Sequence, residues 1–476
     1  MIGKRKCLPL CALTAALLGL FVGSTAFAAT ITVNSLADPG QVGVCALRDA
    51  ITAANTKTAT NACAAGSGHD IIKFRVAGTI TLASTLPEVT DGQLTITGLA
   101  SPGITIDGGN NPFQQVQGVQ VMQVASRVTL NLNHLTIADG FNASPGGGIS
   151  NDGTLNVSNS TFSGHQSVPG IFTLNEGGAI YNAGSLTVTN TTFSGNRATT
   201  AGPGQAGAGG AIFNEGTMKV TNSTFFDNFG LADGGAISND GILTVVNSTF
   251  FENTTSTAPF PGPGAGIQNC GTLTVTNSTF SGNGGGLGGG ISNGGICNGG
   301  FASLKNTILA NSSGGIFTPP SNCSGTINDA GYNISDDASC GFAKTGSANN
   351  GDGVNPLLSA AGLANNGGPT ETIALQSGSP AIDAIPLADC TDQASPPNPI
   401  TTDQRGLLRP DTGEQVCDIG AYEFQDFAGD PGQANCYDES VRALNRQFGS
   451  LDAAASAKGY SSLRELQNAI GAFCKG

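Results

Sequence analysis

The chain has 476 residues, with 19 Lys and Arg against 33 Asp and Glu, and a formal net charge of −14. Only 11% of the residues are charged, Trp is absent, and Gly numbers 71. So acidic a chain lacks the electrostatic footprint of a binder of nucleic acid or anionic membranes, and it fits an anionic polysaccharide only where cations intervene.

At the N-terminus Lys4, Arg5 and Lys6 precede an apolar run from Leu8 to Val22, followed by Ala26-Phe27-Ala28. A basic stretch, a short apolar run and a small-residue site predict a signal peptide over residues 1–28. The mature chain is then exported and starts at Ala29. Cleavage removes three basic residues and no acidic one, which takes the net charge to −17. The apolar run is short for a spanning helix and no later one is longer, so no integral membrane segment is expected in the mature chain.

Residues 44–55, VCALRDAITAAN, read as an amphipathic helix with Leu47, Ile51 and Ala54 on one face. Asp70–Phe74 and the strand-like runs Thr79–Leu82, Leu94–Thr97 and Ile104–Asp107 come next. The motif Cys45-Ala46-Leu47-Arg48-Asp49-Ala50 resembles the CSLREA domain of exported bacterial repeat proteins, with Ala for Ser and Asp for Glu. Residues 29–75 are therefore expected to cap the N-terminal end of a repeat region.

Five copies of one pattern, and a worn sixth, begin at Gly146, Gly177, Gly209, Gly234, Gly264 and Gly288, at spacings of 31, 32, 25, 30 and 24 residues. Such a period marks a solenoid in which each unit is one turn. Apolar and polar residues alternate with the strand period of two. Ile149, Ile180, Ile212, Ile237, Ile267 and Ile291 share one position; Leu155, Leu186, Met218, Leu243 and Leu273 share another. Val157, Val188, Val220, Val245 and Val275 share a third, and Phe162, Phe193, Phe225, Phe250 and Phe280 a fourth. One unit cannot bury these residues, but stacked units can. The expected fold is all-β: a right-handed single-stranded parallel β-helix over residues 76–354, about 50 Å long for about ten turns.

Asparagines fall in three columns. Asn151, Asn182, Asn214, Asn239, Asn269 and Asn293 form the first, and Asn159, Asn190, Asn222, Asn247, Asn277 and Asn306 the second. Asn196, Asn228, Asn253 and Asn283 form the third. Hydrogen-bonded amide ladders are expected in all three, with His134 and His165 standing in for Asn. The sequons in the second column, such as Asn159-Ser160-Thr161, are read as ladder positions rather than glycosylation sites. The motifs GGA[ILV] and FxxN, as in Gly234-Gly235-Ala236-Ile237 and Phe250-Phe251-Glu252-Asn253, resemble the repeats of polymorphic outer membrane proteins, a family of surface adhesins. Too few residues follow Phe424 for that family's membrane barrel.

Residues 355–424 carry Asn366-Gly367-Gly368-Pro369-Thr370, Gly378-Ser379-Pro380-Ala381-Ile382-Asp383, Asp403-Gln404-Arg405-Gly406 and Cys417-Asp418-Ile419-Gly420-Ala421-Tyr422-Glu423. These runs resemble the choice-of-anchor Q domain, which often precedes a sorting anchor. After a linker at 425–435, residues 436–476 read as a small α-helical hairpin. Ser462-Leu463-Arg464-Glu465 forms a capping box at its second helix. Ten cysteines remain after cleavage. Their nearest-neighbour pairing, preferred on position, joins Cys45 to Cys63, Cys270 to Cys297, Cys323 to Cys340, Cys390 to Cys417 and Cys436 to Cys474.

Two sets of residues are candidates for function. The segments inserted between repeats all leave from one repeat position and should crowd one edge. Phe172, Arg197, Phe229 and Phe260 are their most contact-capable residues. Asp152, Glu215 and Asp240 form an acidic column after the first Asn column, at turns where acids are common. The dense charged cluster Asp383, Asp403, Arg405, Arg409, Asp418 and Glu423 reads as a structural lock rather than an acid/base site. No catalytic residue, metal site or cofactor is assigned. The sequence points to a secreted or cell-surface protein of adhesin-like or structural binding type, with a surface protein or glycan as partner and no nucleic acid. The alternative is a polysaccharide lyase or glycoside hydrolase of the pectate-lyase-like β-helix type.

Overall fold

A computed structural model describes residues 28–475, apart from 102, 112–116, 144, 169–176, 200–206, 257–261, 287, 295–299, 314–320, 347–348, 412–413, 426, 428–432 and 458–459. Residues 1–27, nearly all of the expected signal peptide over 1–28, lie outside the described residues. The solenoid is a parallel β-helix. One turn runs through Ile149–Asn151, Thr154–Ser158, Thr161–Ser163 and Gln166–Ser167. Each strand pairs in parallel with its equivalent in the next turn. The stacks form sheets I to IV, of eight, eleven, eleven and five strands among the described residues.

The register follows the repeat pattern. Leu155 pairs with Leu130 and Leu186, and Phe162 with Ile137 and Phe193. A slip of one residue would turn every such side chain outward, so burial itself fixes the register. Phe162, Phe193, Phe225, Phe250 and Phe280 are fully buried and stack at ring-centroid distances of 5.0, 4.8, 4.8 and 4.5 Å. The glycine three residues ahead of each Ile is left-handed, as at Gly177 and Gly209, where φ is 62° and 68°. An added Cβ there would lie 1.9 and 2.3 Å from the carbonyl oxygens of Ile180 and Ile212.

Two of the three expected Asn ladders form. In the first column each Asn Nδ2 donates to the next Asn Oδ1, from Asn151 through Asn182, Asn214, Asn239 and Asn269 to Asn293, at 2.6–2.7 Å. In the third, Asn196, Asn228, Asn253 and Asn283 are linked at 2.8–2.9 Å. The second column is different. Asn159, Asn190, Asn222, Asn247, Asn277 and Asn306 all have φ between 47° and 53°, as does His134. Asn is selected there because it tolerates the left-handed conformation at a tight corner. Among the described residues of this column, one rung links successive Asn side chains, from Asn190 Nδ2 to Asn159 Oδ1 at 3.1 Å. His165 replaces Asn in the third column. Its Nδ1 accepts from the Gly140 N–H at 2.9 Å, so Nε2 carries the proton donated to the Ile137 carbonyl at 3.0 Å.

Helix α1 (Leu47–Thr56) closes the N-terminal end and buries Leu47, Ala50, Ile51, Ala53 and Ala54 against the first turns. The disulfides Cys45–Cys63, Cys323–Cys340, Cys390–Cys417 and Cys436–Cys474 form as expected. The fifth expected pair falls on Cys297, outside the described residues; Cys270 is itself disulfide-bonded.

Residues 355–424 fold back alongside sheet III and share a core with Ile308, Ala310 and Ile334 of the solenoid. Five of the six residues of the expected charged lock are buried, and Asp383 is exposed. Arg405 pairs with Asp403 and Arg409 with Glu423, both at 2.7 Å. The tail holds a short third helix between the two expected: α2 (Cys436–Phe448), α3 (Leu451–Ala457) and α4 (Leu463–Phe473). The Ser462 side chain caps α4 by accepting from the Glu465 N–H. Phe427, in the expected linker, is buried against Phe473 at 5.5 Å. Among the described residues no helix is long and apolar enough to cross a membrane.

Candidate functional site

The corner between sheets III and IV follows one rule in every repeat. The residue after the sheet III strand takes a left-handed conformation: Asp139 (φ 49°), Gly164 (67°), Gly195 (62°), Asp227 (53°), Glu252 (50°) and Gly282 (68°). The next residue turns inward to the third Asn column. The one after it opens sheet IV, where Phe141, Gln166, Arg197, Phe229 and Thr254 stand in register. On the sheet III side, Ser163, Ser194, Phe226 and Phe251 form the matching column. Strand alternation sends these two columns outward, because the core residue before the first and the third-column residue before the second are buried.

The result is a trough along the solenoid axis. Its floor is the left-handed column and its walls are the two outward columns. One stretch is a cleft of about 670 Å³ lined by Asn110, Asp139, Gln166, Arg197 and Asp227, with Gly164 and Gly195 in the floor. An added Cβ on Gly164 would lie 2.2 Å from Asp139 Oδ1, whereas one on Gly195 would meet nothing within 4 Å. Side chains longer than glycine would fill the cleft at both positions. Further along, Phe251, Glu252 and Gly282 face Leu358, Gly362 and Ile373 across a cavity of about 460 Å³. Residues 355–424 thus wall the far end of the trough.

The carboxylates of Asp139, Asp227 and Glu252 have no hydrogen-bond or ion-pair partner among the described residues. Burial, reinforced by the neighbouring Asp107, pushes the Asp139 carboxyl above its ordinary range. The Arg197 guanidinium lies 4.5 Å from the centroid of the Phe229 ring, an arrangement that holds a cation by its attraction to the ring face.

Two of the four expected edge residues, Arg197 and Phe229, therefore stand together on one wall. They lie in paired strands of sheet IV, not in free loops as expected. Phe172 and Phe260 lie outside the described residues. The floor residues Asp139, Asp227 and Glu252 and the outward Phe226 and Phe251 were missed. Their signal is in the repeat: the third position of FSGH, FSGN, FFDN and FFEN, two residues after the core Phe, is either Gly or an acid.

The acidic column lies at another corner, between sheets I and II, with Asp152, Glu215 and Asp240 exposed. Tyr181 donates its hydroxyl to Glu215 Oε2 at 2.5 Å and stacks on Phe213 at 6.2 Å. Burial and the charge of Glu215 raise the Asp240 carboxyl. Burial pushes Asp233 up to about 6, against the effect of a hydrogen bond from Ser238. Among the described residues no group of three or more His, Cys, Asp or Glu is placed to hold a metal ion.

Residues 93–313 match the family model described as a right handed beta helix region. The solenoid is a right-handed β-helix. The match spans the β-helix turns that carry the trough and ends before residues 355–424. Neither a curated protein nor a solved structure matches the chain.

Proposed function

We propose that this is an exported, surface-associated binding protein of adhesin-like type, whose ligand lies in the trough between sheets III and IV. The observation that carries this reading is the trough itself: unpaired carboxylates in a glycine-lowered floor, flanked by Arg197, Phe229 and Phe226. Pockets that combine apolar surface with a few placed polar groups are the usual form of a binding site. Four disulfides fit an oxidising compartment, in keeping with the signal-peptide pattern. The module at 355–424 and the tail at 436–476 are proposed to serve retention at the cell surface. Adhesion of the purified full chain to immobilised cell-surface proteins and glycans tests the binding reading. Arg197→Ala and Phe229→Ala should abolish adhesion without lowering the melting temperature, and unchanged adhesion would refute a role for the trough.

A second reading, a polysaccharide lyase or glycoside hydrolase, draws on the Tyr181–Glu215 hydrogen bond beside Asp240. Two neighbouring carboxyl groups in unequal environments are the elements of acid/base chemistry on a glycan. A glycan panel followed by reducing-end and unsaturated-product assays separates the two readings. Turnover that is lost in Asp240→Ala would favour the enzyme.

A further inference from the structure

The charges of the trough are ordered along the solenoid axis. Asp139 lies at one end; Asp107, on the turn before, is in register with Ala138 of the sheet III wall and accepts hydrogen bonds from Thr81 and the Gly109 N–H. Asp227 and Glu252 lie on successive turns at the other. Between them the floor is Gly164 and Gly195, and the wall carries Gln166 and Arg197. Asp139 and Asp227 are three turns apart, which is about 14 Å at the spacing of paired strands. The pattern is therefore negative, positive, negative, and Arg197 is held on Phe229 rather than neutralising either acidic end.

A chain in extended conformation covers about 14 Å in four residues, and its side chains at i, i+2 and i+4 share one face. We propose that the trough binds an extended peptide segment with Lys or Arg at positions i and i+4 and Asp or Glu at position i+2. The basic side chains meet the Asp139 and Asp227 carboxylates, and the acidic one meets Arg197. Glycine in the floor at 164 and 195 makes room for the main chain at the centre. This inference rests on the trough being the ligand site. A neutral glycan would use the aromatic walls, but it would leave the unpaired carboxylates of Asp139 and Asp227 uncompensated in the cleft.

The test uses the full mature chain and three labelled probes, read by fluorescence anisotropy at low and high salt. The first is a blocked peptide, lysine–glycine–glutamate–glycine–lysine. The second is its charge-inverted counterpart, glutamate–glycine–lysine–glycine–glutamate. The third is a neutral hexasaccharide. The first peptide should bind at least about tenfold more tightly than the second, and the preference should shrink as salt screens the charges. The double variant Asp139→Asn, Asp227→Asn should lose the preference. Asn tolerates the left-handed conformation of both positions, so its melting temperature should be unchanged. Equal binding of the two peptides overturns the inference. Binding of the hexasaccharide alone, lost in Phe229→Ala, would overturn it and leave the trough as the ligand site. Failure of all three probes, or binding indifferent to every trough substitution, would overturn both.

Discussion

Gln404 Oε1 accepts a hydrogen bond of 2.6 Å from the hydroxyl of Thr249, 155 residues earlier in the chain. The Gln404 amide donates at 2.8 Å to Thr224 on the preceding turn and at 2.9 Å to Thr370. A single carboxamide thus fastens residues 355–424 to two turns of the β-helix, and all of these groups are buried. Gln404→Leu leaves the hydroxyls without that partner at a cost of about 3 kcal/mol. Chemical unfolding of the variant should show the loss, and limited proteolysis should open the C-terminal region first. An unchanged unfolding midpoint would mean that the shared apolar core, not Gln404, holds the module.

The Phe stack gives a second prediction. Phe225 lies between Phe193 and Phe250 with both centroids 4.8 Å away. Phe225→Ala creates a cavity that neighbouring rings, fixed by strand register, cannot close, and should cost about 3–5 kcal/mol. Phe225→Leu should cost less. The comparison is read from thermal or urea unfolding.

His165 gives a pH dependence. Complete burial holds its imidazole down to about 4, although the Ile137 carbonyl favours the protonated form. The folded chain therefore binds this proton more weakly than the unfolded chain. The contribution to stability is complete above about pH 6.5 and falls as pH drops toward 4, by up to about 3 kcal/mol. His165→Asn, the residue the column otherwise carries, should flatten the stability profile over that window. Unfolding of both proteins between pH 7 and 4 decides this.

Glu414 has the opposite sign. Burial, then the nearby Asp411 and Asp383, push its carboxyl up to about 10. Folding favours the protonated form, so its contribution is complete below the ordinary carboxylate range and is lost as pH rises toward 10. Glu414→Gln keeps the neutral shape and should raise the melting temperature relative to the parent at pH 8–9, with little difference at pH 4. A parallel fall of both proteins on the alkaline side would show that Glu414 does not control it.

Much of the solenoid is legible in the residues alone. Core columns repeat with the strand period, so each position's neighbour in space is its equivalent in the next repeat. The same periodicity reveals the first and third Asn ladders. It misleads on the second because an Asn chosen for its left-handed backbone and an Asn chosen for its amide look alike in a column. Arg197 and Phe229 stand out as edge residues, but their meeting at 4.5 Å depends on sheet IV pairing, which two-residue strands do not announce.

By itself the sequence determined the β-helix, its core and its capped N-terminal end, because these depend on periodic or nearby residues; for the cysteines it offered a preferred nearest-neighbour pairing, which four disulfides adopt. Tertiary structure alone decided that residues 355–424 lie along sheet III, that Tyr181 meets Glu215, and that Asp139, Arg197 and Asp227 share one trough. Contacts such as Thr224 with Glu371 and Gln404 with Ser223 join residues 147 and 181 positions apart. No period links those positions, and only the burial of complementary surfaces in the folded chain brings them together.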